Sequence, residues 1–257
     1  MNSEPVAVVT GGGSGIGEAA AQRLAAAGYR LAILDINRVR AAAMVEAIGH
    51  QAAFFPVDVS DAAAVDAAAA AVHAAFGRAD VLVNSAGILQ NATRVLDMNL
   101  GEAERILQVN YLGTVACCQA FGRMMKSAGS GSIVNLASIN SFRCSAQPAY
   151  NATKTAVVSL TETLAAELGP SGVRVNAVAP GYTLTPAMQA RVDSGQRDPK
   201  QILGATALGR WVLPSDVAEA VLFLCSDAAA CITGITLPID AGWLAATSYR
   251  AWAAQPG

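Results

Sequence analysis

Val6-Ala-Val-Val-Thr10-Gly-Gly-Gly-Ser-Gly15-Ile-Gly17 is the stretch whose reading decides the fold. Residues 6–9 are a short, mostly β-branched run that enters a glycine-rich turn. Residues 18–27 are Ala-rich and helix-forming, and Gly28 ends that helix. Residues 30–34 form a second apolar run, closed by Asp35. Strand, glycine turn, helix and strand make a βαβ unit. Glycines at such a turn let the backbone approach a pyrophosphate, and the helix start supplies N–H donors and the positive end of a dipole. The spacing is Gly11-x-x-x-Gly15-x-Gly17, so Gly11, Ser14, Gly15, Ile16 and Gly17 are the expected phosphate contacts.

Outward from this unit the alternation continues. Residues 38–48 read as helix, 52–57 as a strand ending at Asp58, and 62–76 as an Ala-rich helix preceded by the capping residues Ser60 and Asp61. A short strand at 81–83 leads into Asn84-Ser-Ala-Gly87. Residues 99–126 read as one long helix, 132–136 as a strand, 149–168 as a helix, and 173–178 as a strand ending at Pro180-Gly181. A helix at 214–224 and a strand at 235–239, ending at Asp240-Ala-Gly, complete the series. Strands separated by helices, about six times over, predict an α/β fold: a parallel, doubly wound sheet with helices on both faces. Residues 185–210 break the pattern with polar residues, Gly195, Pro199 and Gly204. They are expected to form short helices in a substrate lid, because they follow a strand end.

The whole chain sets limits. Its 257 residues are 53% hydrophobic and 14% charged, enough to fill a sizeable core. A net charge of -2 gives no reason to expect nucleic acid or an anionic membrane as partner. No apolar run approaches the length of a transmembrane span, and the N-terminus does not read as a signal peptide. Five cysteines without C-x-x-C spacing read as reduced thiols in a cytoplasmic protein. His50 and His73 have no ligand partners in register, so no metal site is expected.

Three further features carry chemistry. Asp35, eighteen residues beyond Gly17, stands where a carboxylate accepts hydrogen bonds from adenosine ribose hydroxyls and repels a 2′-phosphate; this favours NAD over NADP, with Arg38 as the nearby alternative for that phosphate. Asp58 and Val59 follow the third strand. There Asp58 either reaches the adenine edge or caps the next turn. Tyr150 and Lys154, four apart on a helix, would lie one above the other. A fixed cation beside a phenol is expected to lower its pKa and make it a usable proton acceptor.

With Asn84-Ser-Ala-Gly87, Asn110, Ser138 and Pro180-Gly181 in the same order, the chain resembles the short-chain dehydrogenase/reductase family from about residue 6 to 242. The resemblance implies a single Rossmann-type domain over residues 1–257, a nicotinamide cofactor, and a catalytic tetrad of Asn110, Ser138, Tyr150 and Lys154. Tyr150 would be the acid/base, and Ser138 would hold the substrate oxygen. Lys154 would tune Tyr150 and bind ribose hydroxyls, while Asn110 would hold a water that links Lys154 to solvent. Asn84, Ala86 and Gly87 would line the cofactor cleft, and Pro180, Gly181, Thr183 and Thr185 would bracket the carboxamide, with capping of the next turn as the alternative for Thr183 and Thr185. Family membership also implies a homotetramer or dimer.

Three departures stand out: Ser85 follows Asn84 where a second Asn is usual, Asp240-Ala-Gly replaces Asp-Gly-Gly, and Ser138 to Tyr150 spans twelve residues, one fewer than the pattern implies. Ser141 competes with Ser138 for the serine role. The pocket is expected from residues 138–147, 91–93 and the lid, with Asn140 and Gln147 as substrate contacts and Arg143 and Arg191 as candidate cations. These polar residues point to a hydroxylated substrate, polyol or sugar-like, and the family resemblance with Asp35 implies an NAD-dependent oxidoreductase that interconverts a secondary alcohol and its ketone. A 3-oxoacyl-thioester reductase and a non-catalytic dinucleotide sensor on the same fold are the alternatives. The tail at 243–257 is aromatic, with Trp243, Tyr249 and Trp252, and would cover a neighbour's pocket or dock on its own chain.

Overall fold

Strand β1 (Val6–Thr10) is buried along its whole length, and its side chains alternate between two cores. Val8 joins one cluster; Ala7 and Val9 join the other. A strand apolar on both faces needs cover on both faces, which parallel strands with crossover helices provide. In the computed structural model, which describes residues 4–249, seven strands form one parallel sheet in the order β3-β2-β1-β4-β5-β6-β7. The other six are β2 (Arg30–Asp35), β3 (Ala52–Pro56), β4 (Val81–Asn84), β5 (Gly131–Leu136), β6 (Val173–Pro180) and β7 (Thr236–Ile239).

The first helices are α1 (Gly15–Ala26), α2 (Arg38–Ile48) and α3 (Ala62–Phe76). Asn37 caps α2 through Arg40 N, and Asp61 caps α3 through the amides of Ala63 and Ala64. The expected single helix over 99–126 is instead α4 (Leu100–Leu107), one π turn at Gln108–Leu112, and α5 (Gly113–Ala128). The wider turn carries Asn110 on the buried side, and Gly113 follows it where a Cβ would stand 2.8 Å from Val59 Cγ2.

Helix α6 (Pro148–Leu168) is the longest, at 21 residues. With α3 and α5 it covers one face of the sheet, through Val65, Phe121 and Leu168 among others. The other face is covered by α1, α2 and α9 (Pro214–Cys225), through Leu24, Met44 and Leu224.

Residues 185–210 hold two short helices, α7 (Pro186–Asp193) and α8 (Pro199–Ala205), each opening on proline after a polar cap, Thr185 or Asp198. A parallel bridge from Thr183 to Val212 pins the two ends of this segment. Helix α10 (Trp243–Tyr249) packs on its own chain, against α8, with Trp243 edge-on to Tyr182 at 6.2 Å between ring centres. Trp252 and the rest of the tail from residue 250 lie outside the described residues. Among the described residues no helix is long and apolar enough to cross a membrane, and no cluster of His, Cys, Asp and Glu could hold a metal ion.

Candidate active site

Because β2 lies on one side of β1 and β4 on the other, the loops leaving the carboxyl ends of β1 and β4 diverge and open a crevice. A cleft of about 720 Å³ occupies it, running from Asp35, Asp58 and Val59 past Gly11, Ser14, Gly15 and Ile16 to Ser138, Tyr150 and Lys154. Ala86, Gly87, Pro180, Gly181, Thr183 and Thr185 line it as well.

The glycine loop is packed too closely for side chains. Gly11 has φ +64, and a Cβ there would meet Ala86 Cα at 2.9 Å. One on Gly17 would come 2.2 Å from the Gly11 carbonyl oxygen. Gly17 therefore lies beneath the loop, outside the cleft lining. Thr10 Oγ1 accepts hydrogen bonds from the Ser85 and Ala86 amides, each at 3.1 Å, tying this loop to the one after β4. Ser14 occupies the cap position of α1 but makes no side-chain cap bond, so the helix start keeps donors for a phosphate. The backbone thus fits the pyrophosphate of a dinucleotide.

Asp35 braces the loop: Oδ2 accepts from Gly13 N at 2.9 Å and Oδ1 from Asn37 N at 2.8 Å. Arg40, not Arg38, lines the cleft beside it. Asp58 lines the cleft and also caps a turn. It accepts from Ser60 N at 3.0 Å, Ser60 Oγ at 2.7 Å and Arg105 Nη2 at 3.0 Å, and the Ser60 hydroxyl foremost holds its carboxyl below the usual range.

At the other end, Tyr150 and Lys154 stand one turn apart on α6, with Lys154 Nζ 5.6 Å from the Tyr150 ring centre and donating to Leu136 O at 2.7 Å. Ser138 follows β5. Its Oγ accepts from Asn140 N at 3.2 Å, and its hydroxyl also acts as a hydrogen-bond partner of the Tyr150 phenol. The expected lowering of the phenol is corrected here. Burial pushes Tyr150 up to about 12, with Ser138 pulling the other way, because desolvation of a phenolate outweighs its neighbours. Burial likewise pushes Lys154 down to about 8.

Besides Gly17, four predicted residues do not line the cleft and instead support it. Asn110, fully buried, accepts from Ile88 N at 2.8 Å and donates to Ile88 O at 2.9 Å, which holds the turn after Gly87. Both halves of its amide are thereby engaged. Asn84 lies under the sheet end, donating to Asn135 Oδ1 at 2.9 Å and to Cys118 Sγ. Asn140 and Gln147, expected to touch substrate, bond to each other at 3.2 Å and brace the loop before α6. The short loop brings its polar groups together, so they satisfy one another rather than face the cleft.

Ser141 Oγ is enclosed without a partner, away from the lining that Ser138 joins. Residues 91–93 are not in the lining, whereas Ile88 and Leu89 are. Arg143 bonds Phe142 O and Ser248 Oγ outside the cleft; Arg191 lines it from α7 and reaches Asn91 Oδ1 at 3.2 Å. Arg40, Arg105 and Met188 also line the cleft, and no sequence pattern marks them.

Comparison with known proteins agrees with this geometry. The family model described as Enoyl-(Acyl carrier protein) reductase matches residues 11–244. D-threitol dehydrogenase of Mycolicibacterium smegmatis is 43% identical over 244 residues, covering 93% of this chain and 92% of that protein. A crystal structure described as ribose-5-phosphate isomerase of Brucella melitensis superposes with a TM-score of 0.94 at 42% identity, covering 100% of this chain and 98% of that one. NAD+-bound xylitol dehydrogenase superposes with a TM-score of 0.89 at 32% identity, covering 93% and 99%. A match that runs from the glycine loop into α10 takes in every element of the cleft, and so the chain belongs to the short-chain dehydrogenase/reductase family, as an oxidoreductase acting on CH–OH groups.

Proposed function

We propose that this protein interconverts a secondary alcohol of a polyol or sugar-like substrate and the corresponding ketone, with NAD as cofactor. One observation carries the reading: Ser138, Tyr150 and Lys154 meet at one end of a cleft whose other end is built from the glycine loop and Asp35. A bound nicotinamide dinucleotide supplies the hydride acceptor or donor. Tyr150 takes the hydroxyl proton in oxidation and returns it in reduction. Ser138 donates to the substrate oxygen, where charge develops, and Lys154 binds ribose hydroxyls beside Tyr150. Asn110 is the fourth member of the set and acts by fixing the turn at Gly87–Ile88.

Asp35 supports NAD over NADP, since its carboxylate would face a 2′-phosphate. The names of the threitol and xylitol relatives support a polyol. Exposed apolar side chains before and within α4, Leu96 at 96% and Leu100 at 75%, support a homotetramer or dimer. Unpaired cysteines at the surface, Cys144 and Cys231, fit a reducing, cytoplasmic setting.

The test is reduced-nicotinamide absorbance with NAD and, separately, NADP, against D-threitol, xylitol and other secondary alcohols. Ribose 5-phosphate and a 3-oxoacyl thioester with NADH or NADPH serve as the competing arms. NAD reduction with a polyol, abolished in Tyr150→Phe, is expected. Turnover confined to either competing arm, or full polyol activity in Tyr150→Phe, would sink the reading.

A further inference from the structure

We propose that Gln90 is a positioning residue: its side-chain carbonyl holds the first turn of α6 from another part of the chain and so sets where Tyr150 stands. Gln90 lies in the loop after β4 and is 0% exposed. Its Oε1 accepts hydrogen bonds from Ala149 N at 3.0 Å and Tyr150 N at 3.2 Å, the second and third residues of α6. A helix start leaves these N–H groups without internal partners, and a short polar side chain at the cap position ordinarily takes them. Asn37, Asp61, Asn99 and Thr185 do so for α2, α3, α4 and α7. Helix α6 has no such cap: Gln147 holds the cap position without a side-chain cap bond, and Pro148 follows it. The service comes instead from a residue 59 positions earlier in the chain.

A return path closes the arrangement. Gln147 Nε2 donates to the Gln90 carbonyl oxygen, and Gln147 Oε1 accepts from Asn140 Nδ2 at 3.2 Å. Asn140 N donates to Ser138 Oγ. Ser138 is thus linked through Asn140, Gln147 and Gln90 to the backbone of Tyr150, the residue its own hydroxyl faces. The two N–H groups on Oε1 fix the orientation of the Gln90 amide, since turning it over would set donors against donors. That orientation leaves Gln90 Nε2 buried and unpaired, a standing cost that leucine or methionine would avoid if only packing mattered. The catalytic consequence rests on the reading of Tyr150 as the acid/base; the capping does not.

The test compares Gln90→Leu, which loses the acceptor, with Gln90→Glu, which keeps it and sets a carboxyl oxygen where the orphan Nε2 stands. Amide hydrogen exchange is followed at Ala149 and Tyr150, with kcat and cofactor KM measured alongside. In Gln90→Leu, exchange at these two amides should rise about tenfold, the scale of a lost helix cap. In the same variant kcat should fall by a similar factor, with cofactor KM unchanged. Gln90→Glu should restore both. Unchanged exchange in Gln90→Leu, faster exchange with unchanged kcat, or a Gln90→Glu as defective as Gln90→Leu overturns the proposal. If Gln90→Leu does not fold, Gln90→Glu decides alone: wild-type exchange and kcat support the role, and their loss overturns it. Activity surviving in Tyr150→Phe would remove the assignment of Tyr150 but leave the exchange result intact, so the two failures are distinguishable.

Discussion

Lys154 and Tyr150 share one face of α6, with the ammonium 5.6 Å from the ring centre, yet the ammonium spends its hydrogen bond on the carbonyl of Leu136 at 2.7 Å. Lys154 is buried and Tyr150 half-buried in the cleft wall, and loss of solvent opposes charge on each: it raises the phenol to about 12 and lowers the ammonium to about 8. The pair by itself therefore does not make a base for neutral pH. A further positive charge in the site would favour the phenolate, and an oxidised nicotinamide carries one.

The first prediction follows directly. Tyrosinate absorbance is titrated for wild type minus Tyr150→Phe, once without and once with saturating NAD. Without NAD, Tyr150 should ionise above the ordinary value of 10.0, towards 12. With NAD the ionisation should move down. A Tyr150 that titrates at or below its ordinary value in the absence of NAD would contradict the dominance of burial.

A second prediction concerns Lys154→Met. The folded protein holds Lys154 near 8, against 10.5 for an ordinary lysine, so it sheds that proton before the unfolded chain does. Between those two values the unfolded state binds more protons, and stability from this group rises with pH and is lost as pH falls. Methionine, similar in volume and uncharged, should flatten that slope in denaturant melts. Below pH 8 it should raise stability on the order of 1–3 kcal/mol, less whatever the Leu136 carbonyl loses. Activity should fall and its profile should move to higher pH, since the remaining phenol lacks its cation. An unchanged profile would remove Lys154 from the chemistry.

Much of this was legible in the residues, because it depends on local pattern. The βαβ unit from Val6 to Asp35 and the helix carrying Tyr150 and Lys154 follow from periodicity and glycine placement alone. The π turn at Gln108–Leu112 shows in the residues only as Asn110, a polar residue able to kink or cap a helix; no proline or glycine pair marks the added residue. Gln90 was equally silent: its partners lie 57 to 60 residues away, and no spacing rule reaches that far. Asn140 and Gln147 look like pocket residues in the sequence because they are polar and close to Tyr150. Direction decides the matter, and their amides face each other. The phenol went the wrong way for a similar reason, as proximity of a cation is visible in sequence and depth of burial is not.

Asp35 supplies a third prediction. Its carboxylate both braces Gly13 and Asn37 and lines the end of the cleft proposed to take the adenosine. In Asp35→Ala the KM for NAD should rise about 10- to 100-fold, the range for a lost charged hydrogen bond. The preference for NAD over NADP should shrink further, because Arg40 then lines that end without an opposing carboxylate. Equal KM for NAD in wild type and variant would refute the assignment.

The last prediction turns on Ala241, a departure from the family's glycine. Among the described residues it is the non-glycine residue with positive φ, at 52°. The turn it makes is shared by three parts of the site. Ala241 O accepts from Leu208 N at 3.1 Å, where the lid returns to the body. Asp240 Oδ1 and Oδ2 accept from Gly242 N and Leu244 N and start α10. Asp240 Cα stands 2.8 Å from where a Cβ on Gly181 would be, so the turn also backs the cleft. A left-handed alanine costs roughly 1–2 kcal/mol. Replacing it with glycine removes that strain but gives back about 0.4–1 kcal/mol through the freer unfolded chain. Ala241→Gly should therefore stabilise the protein by about 0.5–1 kcal/mol, read as a raised denaturation midpoint at unchanged m-value. Turnover should stay at the wild-type level, since the hydrogen bonds of the turn are all backbone or Asp240 bonds. A destabilised Ala241→Gly would mean that the Ala241 methyl contributes packing that outweighs its backbone strain.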